Sequence, residues 1–268
     1  MMNQFNEITN LAIKSAIEAG KILEEGFGTN FQIYSKEGRN NLVTEFDKKS
    51  ENYIIDSILK IFPNHSILAE ESGKSKSFNS DEILWVIDPL DGTVNFAHNL
   101  PIFSVSIAAV KNNEIISCII YHPILKELFV AEKNNGSYLN NKKIQVSKSN
   151  NLESSFLVTG FPYDLEIQNS NYLDIFKNFV SMGIPVRRLG SAALDLAYVA
   201  NGRFDGFWEL NLKPWDVAAG ILIVQEAGGT VTQFDGTTSG IYDNSILATN
   251  NHLHKSILKE INSIWISK

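Results

Sequence analysis

Apolar residues recur every three or four positions over residues 4–26, where Phe5, Ile8, Ala12, Ala16 and Leu23 fall near one stripe before Gly26 and Gly28. That period predicts an amphipathic helix with one buried face. A second helical pattern, at about 47–62, puts Ile54, Ile55, Ile58 and Phe62 on an inner face and stops at Pro63. Between the two, 31–34 and 42–44 read as short strands around a polar loop, 35–41. Its Lys36, Gly38 and Arg39 make it a candidate mobile lid. Strand patterns follow at 66–69, 83–88, 103–111, 114–121 and 127–131, with Asn112-Asn113 suited to a tight hairpin turn. Gly136-Ser137 and Asn140-Asn141 mark further turns ahead of 143–147.

The second half alternates: strand 155–159, helix 170–182, strand 185–189, helix 191–201, strand 204–209, helix 214–227. Short strands at 230–233 and 245–249 and a helix at 251–264 complete it. Alternation of this kind predicts sheets covered by helices, a layered α/β sandwich. With no internal repeat and no low-complexity linker, the chain reads as one body over 1–268, its halves (about 1–148 and 149–268) packed together.

Composition is that of an ordinary globular protein, 44% hydrophobic and 20% charged. The net charge of −7 leaves no broad basic face for nucleic acid, and Lys142-Lys143 and Arg187-Arg188 read as solvated surface. An acidic protein repels an anionic substrate, so a phosphate site would need a positive group, most simply a bound metal. The single cysteine, Cys118, lies in the apolar run 115–121; it reads as a buried structural thiol and fits a reducing compartment. Glu7, Lys14, Glu18 and Lys21 argue against a signal peptide, and no uncharged apolar run approaches ~20 residues. The expected location is the cytoplasm.

Candidate chemistry centres on residues 85–96, where an apolar strand runs into Asp88 and turns through Pro89 and Gly92. Strand ends are a common address for sites in α/β folds, and Asp88 and Asp91 can converge across such a turn. Gly92 allows close backbone approach, and the N–H groups of Gly92 and Thr93 could hold phosphate oxygens if a helical turn starts there. Glu70-Glu71 ends another short strand, and Asp216 follows Pro214 at the opening of a helix. Singly, each feature has a plain structural explanation: a turn, a solvated edge, a helix-dipole partner, or, for Thr44-x-x-Asp47, a capping box. Together they matter more. Two carboxylates ~4 Å apart repel by about 4 kcal/mol at an effective dielectric of 20, so a cluster takes up protons or binds a cation. The ligands are all oxygen, which selects Mg²⁺ or Mn²⁺ over zinc. An EF-hand lacks its glutamate at the required offset from Asp88, and the spacing of Asp88 and Asp91 is not the Asp-x-Asp of aspartyl-phosphate enzymes.

Asp88-Pro-Leu-Asp91-Gly-Thr93-Val-Asn-Phe96, Trp215-Asp216-Val-Ala-Ala-Gly220 and Ala69-Glu70-Glu71-Ser72-Gly73 resemble the inositol monophosphatase family. Leu42-Val-Thr44-Glu-Phe-Asp47 and Gly190-Ser191-Ala192-Ala193 add family-like segments in the right order, and the likeness runs from about Ile8 to the last helix. Asn41 departs from the family's Asp. The resemblance implies a five-layered αβαβα fold, a homodimer, two or three Mg²⁺ ions, and lithium sensitivity. It implies one ion on Glu70, Asp88 and the Leu90 carbonyl, another on Asp88, Asp91 and Asp216, and a looser third on Glu70. Gly92 and Thr93 would hold phosphate, and Ala192 and Glu209 the alcohol portion. Asp47 and Thr93 would orient an attacking water activated by the ion, for in-line displacement without a covalent intermediate. None of the five histidines falls within these motifs. Inositol monophosphate is the expected substrate. Fructose 1,6-bisphosphate, histidinol phosphate, NADP and 3′-phosphoadenosine 5′-phosphate are alternatives, as is a binding role with the transcription machinery.

Overall fold

The computed structural model describes residues 5–35, 42–74, 82–162 and 170–265; of the expected lid at 35–41, Ser35 ends the first strand and 36–41, with Asn41, lie outside the described residues. Helix α1 (Glu7–Gly26) starts at Asn6, whose side chain accepts the Thr9 N–H. Strands β1 (Ile33–Ser35) and β2 (Leu42–Thr44) pair antiparallel and lead into α2 (Glu45–Ile61). A large sheet follows: β3 (Ser66–Ala69), β4 (Gly73–Lys74), β5 (Leu84–Asp91), β6 (Ser104–Lys111), β7 (Glu114–His122), β8 (Glu127–Glu132), β9 (Gly136–Leu139) and β10 (Lys142–Lys143). Its order is β10-β9-β8-β7-β6-β5-β3-β4, and the short helix α3 (Thr93–Ala97) follows β5.

The rest of the chain builds a second sheet, ordered β12-β11-β13-β15-β14. It comprises β11 (Leu157–Thr159), β12 (Val186–Arg187), β13 (Gly206–Leu210), β14 (Gly229–Thr232) and β15 (Ser245–Asn250). Its helices are α4 (Ser170–Ser181), α5 (Ala192–Ala200), α6 (Pro214–Glu226) and α7 (His254–Trp265).

Side-chain alternation along the strands assigns the layers. In β5, Trp85 and Ile87 pack with Leu23, Ile54 and Ile58 of α1 and α2. Leu84 and Val86 face the opposite way, into a core shared with Leu194, Ile221 and Val224 of α5 and α6. Val158, Phe207 and Ala248 of the second sheet close that core from the far side. Beyond it, Leu157, Trp208 and Leu247 pack under α4 and α7 against Tyr172, Phe179 and Ile257. The result is the five-layered αβαβα sandwich. Strands buried on both faces explain why β5 and β7 read as unbroken apolar runs.

Several boundaries differ from expectation. Strand β5 continues through Pro89 to Asp91, with a register shift between Asp88 and Asp91, because proline cannot donate to the ladder and the strand bulges past it. Gly136-Ser137 opens β9 rather than forming a turn, which lies at 133–135. Only Lys142-Lys143 pairs where a strand was expected over 143–147. Beyond Ile144 the chain leaves the sheet, and the Val146 N–H bonds the Ala227 carbonyl after α6. The 185–189 strand contracts to Val186-Arg187, and the last helix starts at His254, after Asn250 caps the Leu253 N–H. The Asn112-Asn113 turn forms as expected, both residues having positive φ (52° and 61°), and Cys118 is a buried free thiol. No described helix is long and apolar enough to cross a membrane.

Candidate active site

By the period of two, Asp88 continues the face of Leu84 and Val86, the side of β5 that meets the middle helices. Asp88 is buried, and its Oδ1 accepts the Leu90 N–H at 3.0 Å. Past the bulge, Asp91 Oδ2 accepts from Ser191 Oγ at 2.5 Å, Ala193 N at 2.9 Å and Ser104 Oγ at 3.5 Å, and the Ala192 N–H also bonds this carboxylate. Gly92 follows at φ 100°, where an added Cβ would stand 2.9 Å from the Ile102 carbonyl oxygen. The helical turn of α3 begins immediately after it, as the sequence required for a pair of free N–H groups.

Asp216 arrives from the other half, in the first turn of α6 behind Pro214, with Oδ2 accepting the Lys213 N–H at 2.6 Å. Ser106 Oγ of β6 donates to the Trp215 carbonyl at 3.4 Å, tying that helix start to the large sheet. Glu70 directly follows β3, its N–H bonded to the Ile87 carbonyl at 3.2 Å, which holds it beside β5. The neighbouring Glu71 is held differently, its N–H donating to Glu51.

Asp47 does what the capping-box pattern predicted, and more. Its Oδ2 accepts the Thr44 N–H at 2.8 Å and the Thr44 hydroxyl at 2.5 Å. Its Oδ1 accepts from Thr93 Oγ1 at 3.0 Å, and that hydroxyl stands equally close to the Leu90 carbonyl. Burial lifts the Asp47 carboxyl to about 6, against the pull of the Thr44 and Thr93 hydrogen bonds.

The acids share one field. Burial, then Glu70, Asp91 and Asp216, pushes the Asp88 carboxyl well above the usual carboxylate range. Burial also raises Asp91 to about 6 despite the Ser191 and Ala193 bonds, and raises Asp216, with Glu70 as its strongest charged neighbour. Among the described residues no three His, Cys, Asp or Glu side chains stand as a ready-made cage for a metal ion. Mutual repulsion among four carboxylates favours that open arrangement. The donor chemistry nonetheless suits a hard cation. Asp88 and Asp216 each anchor one oxygen on a backbone N–H, and Asp91 gathers hydroxyl and backbone donors at the start of α5. The Leu90 carbonyl adds a further oxygen.

Ala192 opens α5 beside Asp91, and Glu209 is buried in β13. The Glu209 carboxyl is raised well above its usual value by burial first, then by Asp216, with Arg188 opposing, so it belongs to the same electrostatic neighbourhood. Its carboxylate lies over Gly160, where an added Cβ would come within 2.1 Å of Oε2.

Every expected site residue thus falls around the seam between β5, α5 and α6. The sequence reading missed Ser104 and Ser191, the two hydroxyls on Asp91. It also missed Asn95, whose amide holds the Ile102 and Leu189 carbonyls at 2.8 and 2.9 Å and so pins the two halves together. Serine at a helix N-cap and its place in the family-like 190–193 segment were the available signals for Ser191.

Comparison with known proteins agrees with this geometry. The profile of the inositol monophosphatase family matches residues 4–265. The protein named Nus factor SuhB from Escherichia coli strain K12 is 41% identical over 250 residues, covering 93% of each chain. The inositol-1-monophosphatase of Mesorhizobium japonicum is 38% identical over 256 residues, 95% of this chain and 96% of that one. The crystal structure of the extragenic suppressor protein suhB from Bartonella henselae superimposes with a TM-score of 0.90 at 38% identity, covering 96% and 98%. Motif order, layer architecture and whole-length similarity agree: the chain belongs to the inositol monophosphatase family.

Proposed function

We propose that this chain is a phosphatase that hydrolyses a small phosphate monoester, with inositol monophosphate its foremost substrate, and that it works with Mg²⁺. The observation that carries the reading is the set of three carboxylates, Asp88, Asp91 and Asp216, each held in place by protein donors and raised by burial and by neighbouring acidic charge. Glu70, Asp88, Asp91, Asp216 and the Leu90 carbonyl would hold Mg²⁺, two or three ions in all, with Mn²⁺ an acceptable substitute. Bound there, the cation supplies charge neutralisation at the phosphate and at the departing oxygen.

The chain's own residues supply the rest. The Gly92 and Thr93 N–H groups, at the open end of α3, bind phosphate oxygens. A water approaching opposite the ester oxygen gives a proton to Thr93 Oγ1, which passes its own to Asp47 Oδ1. A carboxyl at about 6 is suited to accept that proton near neutrality. Glu209 accepts hydrogen bonds from the hydroxyls of the leaving group, with Ala192 beside it, which favours a polyol over an apolar alcohol. The protein acts as a homodimer in the cytoplasm and is inhibited by Li⁺.

The test is phosphate release with Mg²⁺ from a panel of inositol monophosphate, fructose 1,6-bisphosphate, histidinol phosphate, NADP and 3′-phosphoadenosine 5′-phosphate. Inositol monophosphate should turn over fastest, and Asp88→Asn should abolish turnover. Near-normal activity in that variant would refute the assignment of the metal ligands.

A second reading draws on the 41% identical relative named Nus factor SuhB: a binding role with the transcription machinery. Rescue of a deletion phenotype by the inactive Asp88→Asn protein would favour it over the phosphatase role.

A further inference from the structure

We propose that Ser191 is a positioning residue for the metal site: its hydroxyl sets the rotation of the Asp91 carboxylate, and so how that carboxylate would be offered to a cation. This rests on the metal-dependent reading above and adds to it a residue outside the expected ligand set.

The hydroxyl has little choice of direction. Ser191 is the N-cap of α5, and its Oγ accepts the Leu194 N–H at 3.4 Å. Its one proton therefore goes to Asp91 Oδ2, 2.5 Å away, a short distance typical of a hydroxyl bonded to an ionised carboxylate. Ala193 N at 2.9 Å and Ser104 Oγ at 3.5 Å converge on the same Oδ2, and the Ala192 N–H also bonds the Asp91 carboxylate. Ser191 and Ser104 are both buried, so water is poorly placed to replace a lost hydroxyl. Asp91 and Ser191 are a hundred residues apart and lie in different layers. The bond thus fixes a carboxylate of the large sheet from the start of the same helix that presents Ala192.

A cap residue and a positioning residue predict different outcomes, and glycine separates them. Glycine at an N-cap costs a helix only slightly, whereas alanine costs more, and both remove the hydroxyl. Mn²⁺ binding to the full chain, read by electron paramagnetic resonance without substrate, is measured alongside Tm for the wild type, Ser191→Gly, Ser191→Ala and Ser191→Thr. Loss of a group that orients a metal ligand characteristically weakens metal affinity about 10–100-fold. Ser191→Gly and Ser191→Ala should both show a loss of at least about 10-fold, although their Tm values differ. Ser191→Thr, which keeps the hydroxyl, should bind within about twofold of the wild type. Should Ser191→Gly bind Mn²⁺ as the wild type does, Ser191 is a helix cap alone and the inference falls. If the wild type itself binds no Mn²⁺, the metal-dependent reading falls first and takes this inference with it.

Discussion

Asp195 is buried in α5, one turn beyond Ser191, and its Oδ1 has no hydrogen-bond partner. Burial, then the charges of Glu209 and Asp91, pushes its carboxyl well above the usual range, with Arg188 pulling the other way. The folded protein therefore holds this proton to higher pH than the unfolded chain, which ionises the group near pH 4. With the folded value above the unfolded one, the stability it contributes is complete below about pH 4 and is lost as pH rises through the folded value. An asparagine is neutral in both states and escapes that loss. Asp195→Asn should accordingly raise Tm at pH 8, with the gap to the wild type closing as pH falls toward about 4. Thermal melts across that range check it; a gap that stays constant with pH would mean that Asp195 is already ionised in the fold. Asp47 is the opposite kind of residue, because every partner but Thr93 is local and its capping box could be read from four consecutive positions. The Ser191–Asp91 bond had no such local signature.

At the scale of elements, the site depends on close approaches that only missing side chains permit. Strands β11 and β13 run parallel, with Thr159 beside Trp208, so Gly160 comes to lie under the next residue of β13, Glu209. A methyl group at Gly160 would meet all three atoms of that carboxylate within 2.3 Å and displace it. Gly160→Ala should raise KM for inositol monophosphate by about 10-fold, leaving Mn²⁺ affinity unchanged, because Glu209 is not among the proposed ligands. Steady-state kinetics beside metal binding would decide it, and an unchanged KM would remove Glu209 from the leaving-group wall. The same elements show where sequence reading reaches its limit. Helical and strand periods located α1, α2, β3, β6, β7 and the alternating second half, because burial imposes those periods directly. The bulge after Asp88 and the departure of the chain after Ile144 depend on partners far along the chain: β6 for the first, the end of α6 for the second. Periodicity carries no information about either. The short pairs β4, β10 and β12 are edge strands whose few ladder bonds leave almost no pattern to detect.

For the molecule as a whole, the two sheets are brought together around a set of acids in a protein already carrying a net charge of −7. Glu70, Asp88 and Asp91 come from the large sheet, Asp216 from α6 and Glu209 from the second sheet, and the charges of Glu70, Asp91 and Asp216 raise the carboxyl of Asp88. Assembling the sandwich therefore costs electrostatic free energy that a divalent cation would relieve, and the cation would bind the folded chain far better than the unfolded one. At about a hundred times its dissociation constant such a ligand adds roughly 2.7 kcal/mol of stability. At ~2–4 °C per kcal/mol for a chain of this size, Tm should rise by roughly 5–10 °C with saturating Mg²⁺ and return on chelation. Asp88→Asn sharpens the expectation, because it takes one carboxyl out of the crowded set and also removes a proposed ligand. Without Mg²⁺ that variant should melt at least as high as the wild type, and with Mg²⁺ it should gain little. Calorimetry of both proteins, with NaCl at matched ionic strength as control, distinguishes a specific ion from general screening. An equal gain from NaCl would mean that the acids repel one another without ever gathering a cation.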